Sequence, residues 1–193
     1  MGQIDHVLIT PARNEQQFLP AFIDSVLSQT IKPSKWVIVD DNSIDGTREI
    51  LEEVGAKFPW IEIVRVKDDS SRRRGGRIAG LVVNGLSISN SEWDYCSKID
   101  ADMILPETYF EDIFTEFDKD QKLGIASGNC LVFKGRKWRL EKVTPDHTRG
   151  GIKTYRAKCF NEIGGIREID GWDGIDNISA QMKNWETRSF DEI

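Results

Sequence analysis

Tyr95-Cys96-Ser97-Lys98-Ile99-Asp100-Ala101-Asp102 reads as a short strand that delivers two carboxylates to its exit. In an extended segment, residues i and i+2 point to one side. Asp100 and Asp102 can therefore share a hard divalent cation and the phosphates it carries. A second stretch repeats the design, because Trp36-Val37-Ile38-Val39 runs into Asp40-Asp41. Two strands with acids at their carboxyl ends point to one site at the edge of an open α/β sheet, where such sheets bind ligands. Taken singly, either pair is explained as well by helix capping and loop solvation. The two in one βα pattern favour a site.

Working outward, the chain alternates strands with helices. Residues 5–10 read as a buried strand stopped by Pro11. Helical spacing follows at Phe18, Leu19, Phe22, Ile23, Val26 and Leu27. Asp45-Gly46-Thr47 opens a helix that Gly55 ends. Residues 61–66 read as a third strand. A basic, glycine-containing segment, 70–77, leads into a helix carrying Ile78, Leu81, Val82 and Leu86. Residues 106–117 form a helix with Tyr109, Phe110, Ile113, Phe114 and Phe117 on its core side. The alternation predicts an α/β fold, a mostly parallel central sheet with helices on both faces. After Gly124 the pattern changes. Residues 125–133 read as one strand, 134–151 as a polar loop, 158–163 as a short helix, Gly164-Gly165 as a turn and 175–185 as a last helix. Residues 188–193 look like an interrupted strand, so continuation beyond Ile193 is expected.

A length of 193 residues suits one domain with a sizeable core. No linker or repeat divides it. A 39% hydrophobic content excludes a disordered composition. The net charge of −6 argues against nonspecific nucleic-acid binding but leaves a metal-bridged nucleotide open. Cys96, Cys130 and Cys159 form no C-x-x-C and make an odd set. Buried thiols in a reducing, cytoplasmic compartment are expected. His6 and His147 are too few and too far apart for a zinc site, and His6 reads as structural. No basic region followed by an apolar run opens the chain, so no signal peptide is expected.

Pro11-Ala12-Arg13-Asn14-Glu15 leaves the first strand. Asn14 and Glu15 suit helix capping and ligand contact equally. Asp45 and Thr47 are natural helix-start residues, whereas Asp40 and Asp41 are candidates for hydrogen bonds to a nucleotide. No P-loop and no G-x-G-x-x-G occurs.

Pro-x-Arg-Asn-Glu, Val-Asp-Asp-Asn-Ser-x-Asp-Gly-Thr and Asp-Ala-Asp, in this order, resemble the family 2 glycosyltransferases with the GT-A fold. The resemblance extends from Ile4 to about Trp185. It implies one domain over 1–193, with a nucleotide-sugar-binding half at 1–105 and an acceptor and catalytic half at 106–193, truncated at its C-terminus. It implies that Asp41, with Asp40, contacts the nucleoside, beside Pro11, Arg13, Asn14 and Glu15. Asp100 would lie near the ribose or donor sugar, and Asp102 would be the direct ligand of Mg²⁺ or Mn²⁺, with Asp100 beside it.

The family's catalytic base lies in a Gly-Glu-Asp-like motif after a Gly-Gly turn. Here Gly171-Trp172-Asp173 follows Gly164-Gly165. Asp173 aligns with the base, and Trp172 stands where Glu is common. Trp172 either stacks on a sugar or packs beneath the loop. Asp176 is the second candidate base, with an ordinary place at a helix start as its alternative. The implied reaction is an inverting transfer from a nucleotide-diphosphate sugar to a hydroxyl of a glycan or lipid-linked acceptor. No Ser, Cys or Lys stands in an activating motif for a covalent route.

Arg72, Arg73, Arg74 and Arg77 flank Gly75-Gly76. Arg74 or Arg77 is placed to touch the diphosphate. The same cluster could face solvent or anionic lipid, giving peripheral contact with the inner face of a membrane. Residues 134–149 read as an acceptor loop or a solvated one. A haloacid-dehalogenase-like phosphatase would carry its acidic pair after the first strand, followed by Thr; here the pair follows the fourth and Met103 comes next. A GT-A-type nucleotidyltransferase would need a Gly-rich loop where Pro11 to Glu15 stand. The remaining rival is a GT-A-fold module that binds nucleotide sugar without turnover.

Overall fold

A computed structural model describes residues 4–66, 74–89, 92–141, 143–191 and 193, with the side chains at 74 and 75 outside the description. The elements are β1 (His6–Ala12), α1 (Leu19–Leu27), β2 (Lys35–Asp40), α2 (Thr47–Lys57), β3 (Ile61–Arg65), α3 (Arg74–Ser89), β4 (Tyr95–Ile99) and α4 (Tyr109–Lys119). Then come β5 (Leu123–Gly128), β6 (Cys130–Lys134), β7 (Lys137–Glu141), β8 (Ile152–Arg156), α5 (Ala157–Ile163), α6 (Trp172–Met182) and β9 (Glu186–Phe190). Seven strands form one sheet in the order β3-β2-β1-β4-β8-β5-β9, and β6-β7 is a separate ribbon. The β1, β2, β3 and β4 pairings are parallel, as is β5 with β9; β8 runs antiparallel to both β4 and β5.

The central strands read as continuous apolar runs because both faces of the sheet are covered. Leu8, Trp36 and Ile38 point into one core with α1, α2 and α4, including Phe22, Leu51, Phe110 and Phe114. Val7, Ile9, Val37 and Val39 point into the other with α3, α5 and α6, including Val82, Cys159 and Ala180. This is the strand period of two doing its ordinary sorting. His6 belongs to the first side, edge-on to Phe110 and Phe114 at 4.6 and 5.1 Å. Its Nε2 lies 2.8 Å from Ser97 Oγ. Burial lowers its pKa to about 3, so it stays a neutral structural residue.

Several boundaries differ from the sequence reading. Pro11 does not stop β1, which continues to Ala12 with Pro11 opposite Val39. Gly55 lies within α2. A Cβ there would sit 2.9 Å from Ile63 Cγ1, so the glycine serves close helix–sheet packing instead of a helix end. The apolar run 125–133 breaks at Asn129 into β5 and β6, and the supposed polar loop contains β7. α6 begins at Trp172, not at Ile175. β8 was not foreseen.

Candidate active site

The carboxyl ends of β1, β2 and β4 open onto a cleft of about 610 Å³ lined by Pro11, Ala12, Arg13, Glu15, Asp41, Arg77, Ile78, Leu81, Asp100, Ala101 and Asp102. Two loops cross-link to shape it. Asn14, in a left-handed conformation, donates its backbone N–H to Ser43 Oγ at 3.0 Å and accepts from Ile44 N–H at 2.9 Å. Glu15 N–H donates to Thr47 Oγ1 at 2.7 Å. Asp40 Oδ1 accepts from Ser43 N–H at 2.9 Å. Asn14 and Asp40 therefore brace the loops and do not line the cleft.

Asp41 points into the cleft. Its carboxylate takes Arg77 Nε at 2.7 Å, Arg77 Nη2, and Arg13 Nη1 at 3.2 Å. Burial works to raise its pKa, but the Arg77 and Arg13 contacts outweigh burial and hold it below the usual value. Asp41 is thus an oriented anion. Of the arginine cluster, Arg77 lines the cleft. Arg72 and Arg73 lie outside the described residues, as does the Arg74 side chain.

On the opposite wall, Asp100 Oδ1 accepts from Lys98 Nζ at 2.5 Å. Burial and Asp102 raise the Asp100 pKa while Lys98 opposes them. Glu15 is raised to about 7 by partial burial and by the negative charges of Asp102, Asp100 and Asp45. Glu15, Asp100 and Asp102 thus crowd together in the cleft that Asp41 also lines. Folded Glu15 keeps its proton to higher pH than the unfolded chain, whose value is 4.5. Its contribution to stability is therefore lost as pH rises from about 4.5 through about 7. Glu15→Gln should flatten the fall in melting temperature between about pH 5 and pH 8. Asp100, shifted the same way, leaves some slope. An unchanged slope would place the titration elsewhere.

β8 builds the far side. Its antiparallel pairing sets Ile152 opposite Ile99 and Lys153 opposite Lys98. Asp100 N–H donates to Gly151 O at 2.9 Å, and Lys98 Nζ donates to Gly150 O at 2.7 Å. A Cβ on Gly150 would meet Asp173 Oδ2 at 2.8 Å, and one on Gly151 would meet Asp100 Oδ2 at 3.1 Å. Asp173 and Asp100 thus press on adjacent glycines, a close approach that larger residues would block. Asp173 stands in the first turn of α6.

Trp172 and Asp176 are both buried. Trp172 is 5% exposed. Its ring lies 5.7 Å from Lys98 Nζ and 5.4 Å from Lys153 Nζ, so it packs beneath the loop as a cation–π platform. Asp176 is 4% exposed. It accepts from Lys153 Nζ at 2.8 and 3.0 Å, from Tyr155 Oη, and from Asn177 N–H at 2.6 Å. Because α6 begins a turn earlier, Asp176 faces the interior and both its oxygens are engaged. Burial raises Asp176 and lowers Lys153, and their contact opposes both shifts.

The sequence profile described as Glycosyl transferase family 2 matches residues 7–168. The chain belongs to glycosyltransferase family 2. Relatives in sequence include the glycosyltransferase GlyA of Streptococcus pneumoniae serotype 4, 26% identical over 96% of this chain and 25% of its own length. The chondroitin synthase of Escherichia coli is 27% identical over 82% of this chain and 23% of its own. The chain therefore spans about a quarter of either relative. Among solved structures, S. aureus TarS 1–349 in complex with UDP superposes with a TM-score of 0.76, at 16% identity, covering 98% of this chain and 59% of that one. The mannosyltransferase PcManGT from Pyrobaculum calidifontis, in complex with GDP-Man and Mn²⁺, gives 0.69 at 17% identity, over 98% and 55%. These neighbours establish the GT-A fold for this family 2 chain. The match ends before Asp173, so the proposed base rests on the geometry around Gly150.

Proposed function

We propose that the chain binds a nucleotide-diphosphate sugar in the cleft and transfers the sugar, with inversion, to a hydroxyl of a glycan or lipid-linked acceptor. The observation that supports this most is the gathering of Asp41, Asp100 and Asp102 in one cleft, with Asp173 against Gly150, the neighbour of the Gly151 that Asp100 approaches. Donor class follows from family membership and from neighbours solved with UDP, UDP-GlcNAc and GDP-Man.

The donor set suits a hard cation. Burial first, and then repulsion from neighbouring carboxylates, raise Glu15 and Asp100, and bound positive charge would relieve the repulsion. Among the described residues no three His, Cys, Asp or Glu side chains form a complete cage. Mg²⁺ or Mn²⁺ would then be held by Asp102, with Asp100, and would take further oxygens from phosphate and water. When bound, the ion supplies Lewis-acid neutralisation of the leaving diphosphate.

Asp41, fixed by Arg13 and Arg77, accepts hydrogen bonds from the nucleoside end. Asp173 takes the proton from the acceptor hydroxyl as that oxygen attacks the anomeric carbon. The bond from that carbon to the diphosphate oxygen breaks, and its electron pair leaves with the phosphate. Lys153 and Asn177 hold the Asp173 carbonyl at 2.7 and 2.8 Å and so fix the turn that carries the base.

The test is thermal unfolding against UDP, GDP, dTDP and CMP, each with and without Mn²⁺. A ligand at about 100 times its dissociation constant adds roughly 2.7 kcal/mol, a rise of roughly 5–10 °C for a domain this size. One diphosphate should give a metal-dependent shift, and Asp102→Ala should remove the metal-dependent part. No shift with any nucleotide would overturn the donor-site reading.

A further inference from the structure

We infer that the β6-β7 ribbon is an interfacial anchor that docks on an anionic phospholipid bilayer. The ribbon pairs Leu131 with Leu140 and Phe133 with Trp138, and Val132 with Arg139 and Lys134 with Lys137. With a strand period of two, the first two pairs share one face and the last two share the other. One face is thus wholly apolar, and all four of its side chains are open to solvent: Leu131 61%, Phe133 63%, Trp138 65% and Leu140 42% exposed. The Phe133 and Trp138 rings meet at 5.3 Å. Gly135 and Arg136 are both left-handed, the conformation of a tight two-residue hairpin turn.

The other face and the tip are cationic. Lys134, Arg136, Lys137 and Arg139 fall within six residues that contain no acid, in a chain whose net charge is −6. Lys134 and Lys137 stand directly opposite each other, a pairing that destabilises a ribbon in water. A two-stranded ribbon is in any case marginal unless its apolar face is covered. An anionic lipid surface meets both demands. It takes aliphatic and aromatic side chains at the headgroup boundary, while long basic side chains reach the phosphates. A second copy of the chain is disfavoured, because it would cover the apolar face and leave the cations without an anionic partner.

The ribbon's root ties this surface to the candidate site. Cys130 is buried, and Glu141 pairs with Arg149, the residue before the glycines that touch Asp173 and Asp100. Docking would therefore set the site's far wall near the bilayer. This element is distinct from the arginine segment at 72–77. Among the described residues no helix is long and apolar enough to cross a membrane.

Vesicle co-sedimentation of the full chain tests this without sugar donor, so its outcome is separate from that of the transferase reading. Vesicles of phosphatidylcholine with about three parts in ten phosphatidylglycerol should bind the chain, and pure phosphatidylcholine should bind it far less. Each cation is worth roughly fivefold in affinity near such a surface. Lys134→Glu/Lys137→Glu and Phe133→Ser/Trp138→Ser should each weaken binding at least about tenfold, with melting temperature unchanged. Wild-type affinity in both variants would assign binding to another surface and overturn the proposal. Absence of wild-type binding to either vesicle would also overturn it and leave the face to a protein partner. So would a dimer in sedimentation that Phe133→Ser/Trp138→Ser abolishes.

Discussion

Asp173→Asn should lower the rate of sugar transfer by roughly 10²–10⁴-fold and leave donor binding intact. The amide keeps the shape that fits against Gly150 and loses only basicity. The backbone contacts from Lys153 and Asn177 do not involve the substituted group, so the turn should persist. Asp173 does not line the nucleotide cleft, which is why binding and transfer should separate. Initial rates at saturating donor, beside the nucleotide-dependent melting shift, read the two quantities. Normal transfer by the variant would remove Asp173 as base. Asp176 would not replace it, because Lys153 and Tyr155 already hold both its oxygens.

Lys153→Met should cost roughly 3–5 kcal/mol of stability, because it strands a buried carboxylate. Lys153 is fully buried and Asp176 nearly so. The methionine fills much of the space but donates nothing to Asp176. Without its lysine, Asp176 would hold a proton to still higher pH than it does now. A raised carboxyl destabilises above its folded pKa, so the deficit should shrink as pH falls. Urea denaturation at two pH values measures this. The double substitution Lys153→Met/Asp176→Leu should recover most of the loss, since apolar replacements of buried ion pairs are often neutral. A single variant as stable as the parent would show that the pair carries no such role.

The cleft positions of Asp41 and Asp100 were legible in the sequence because both residues follow their own strands. Asp41 and Asp100 stand at the exits of β2 and β4, where local pattern and position agree. Asp40 and Asn14 brace the loops for a reason equally local. Adjacent or near-adjacent polar residues at a strand exit divide between cleft and loop, and only the cross-links to Ser43 and Ile44 decide which. The far wall was not legible. Ile152-Lys153-Thr154-Tyr155-Arg156 lacks an apolar signature because its buried polar groups find distant partners: Lys153 finds Asp176, and Thr154 Oγ1 lies 2.7 Å from Ser97 Oγ. Trp172 could be read as a sugar platform or as packing until the two lysines over its ring were placed. The β7 strand hid in a basic stretch, although Trp138 and Leu140 alternate with Lys137 and Arg139.

The reversed strand has a consequence for how the molecule holds together. Within the described sheet, β3-β2-β1-β4 and β5-β9 are joined only through β8. Joining them closes a long chain segment, since Ser97 and Thr154 are neighbours across 57 residues. Such closures draw heavily on chain entropy. The carboxylates proposed for metal and base lie on opposite sides of this seam. A partly folded chain with only β1 to β4 in place would present the proposed nucleotide pocket without the proposed base. On the proposed function, catalytic competence would coincide with completion of the sheet, and a molecule that loosens at β8 would lose turnover before it loses the ability to hold a nucleotide.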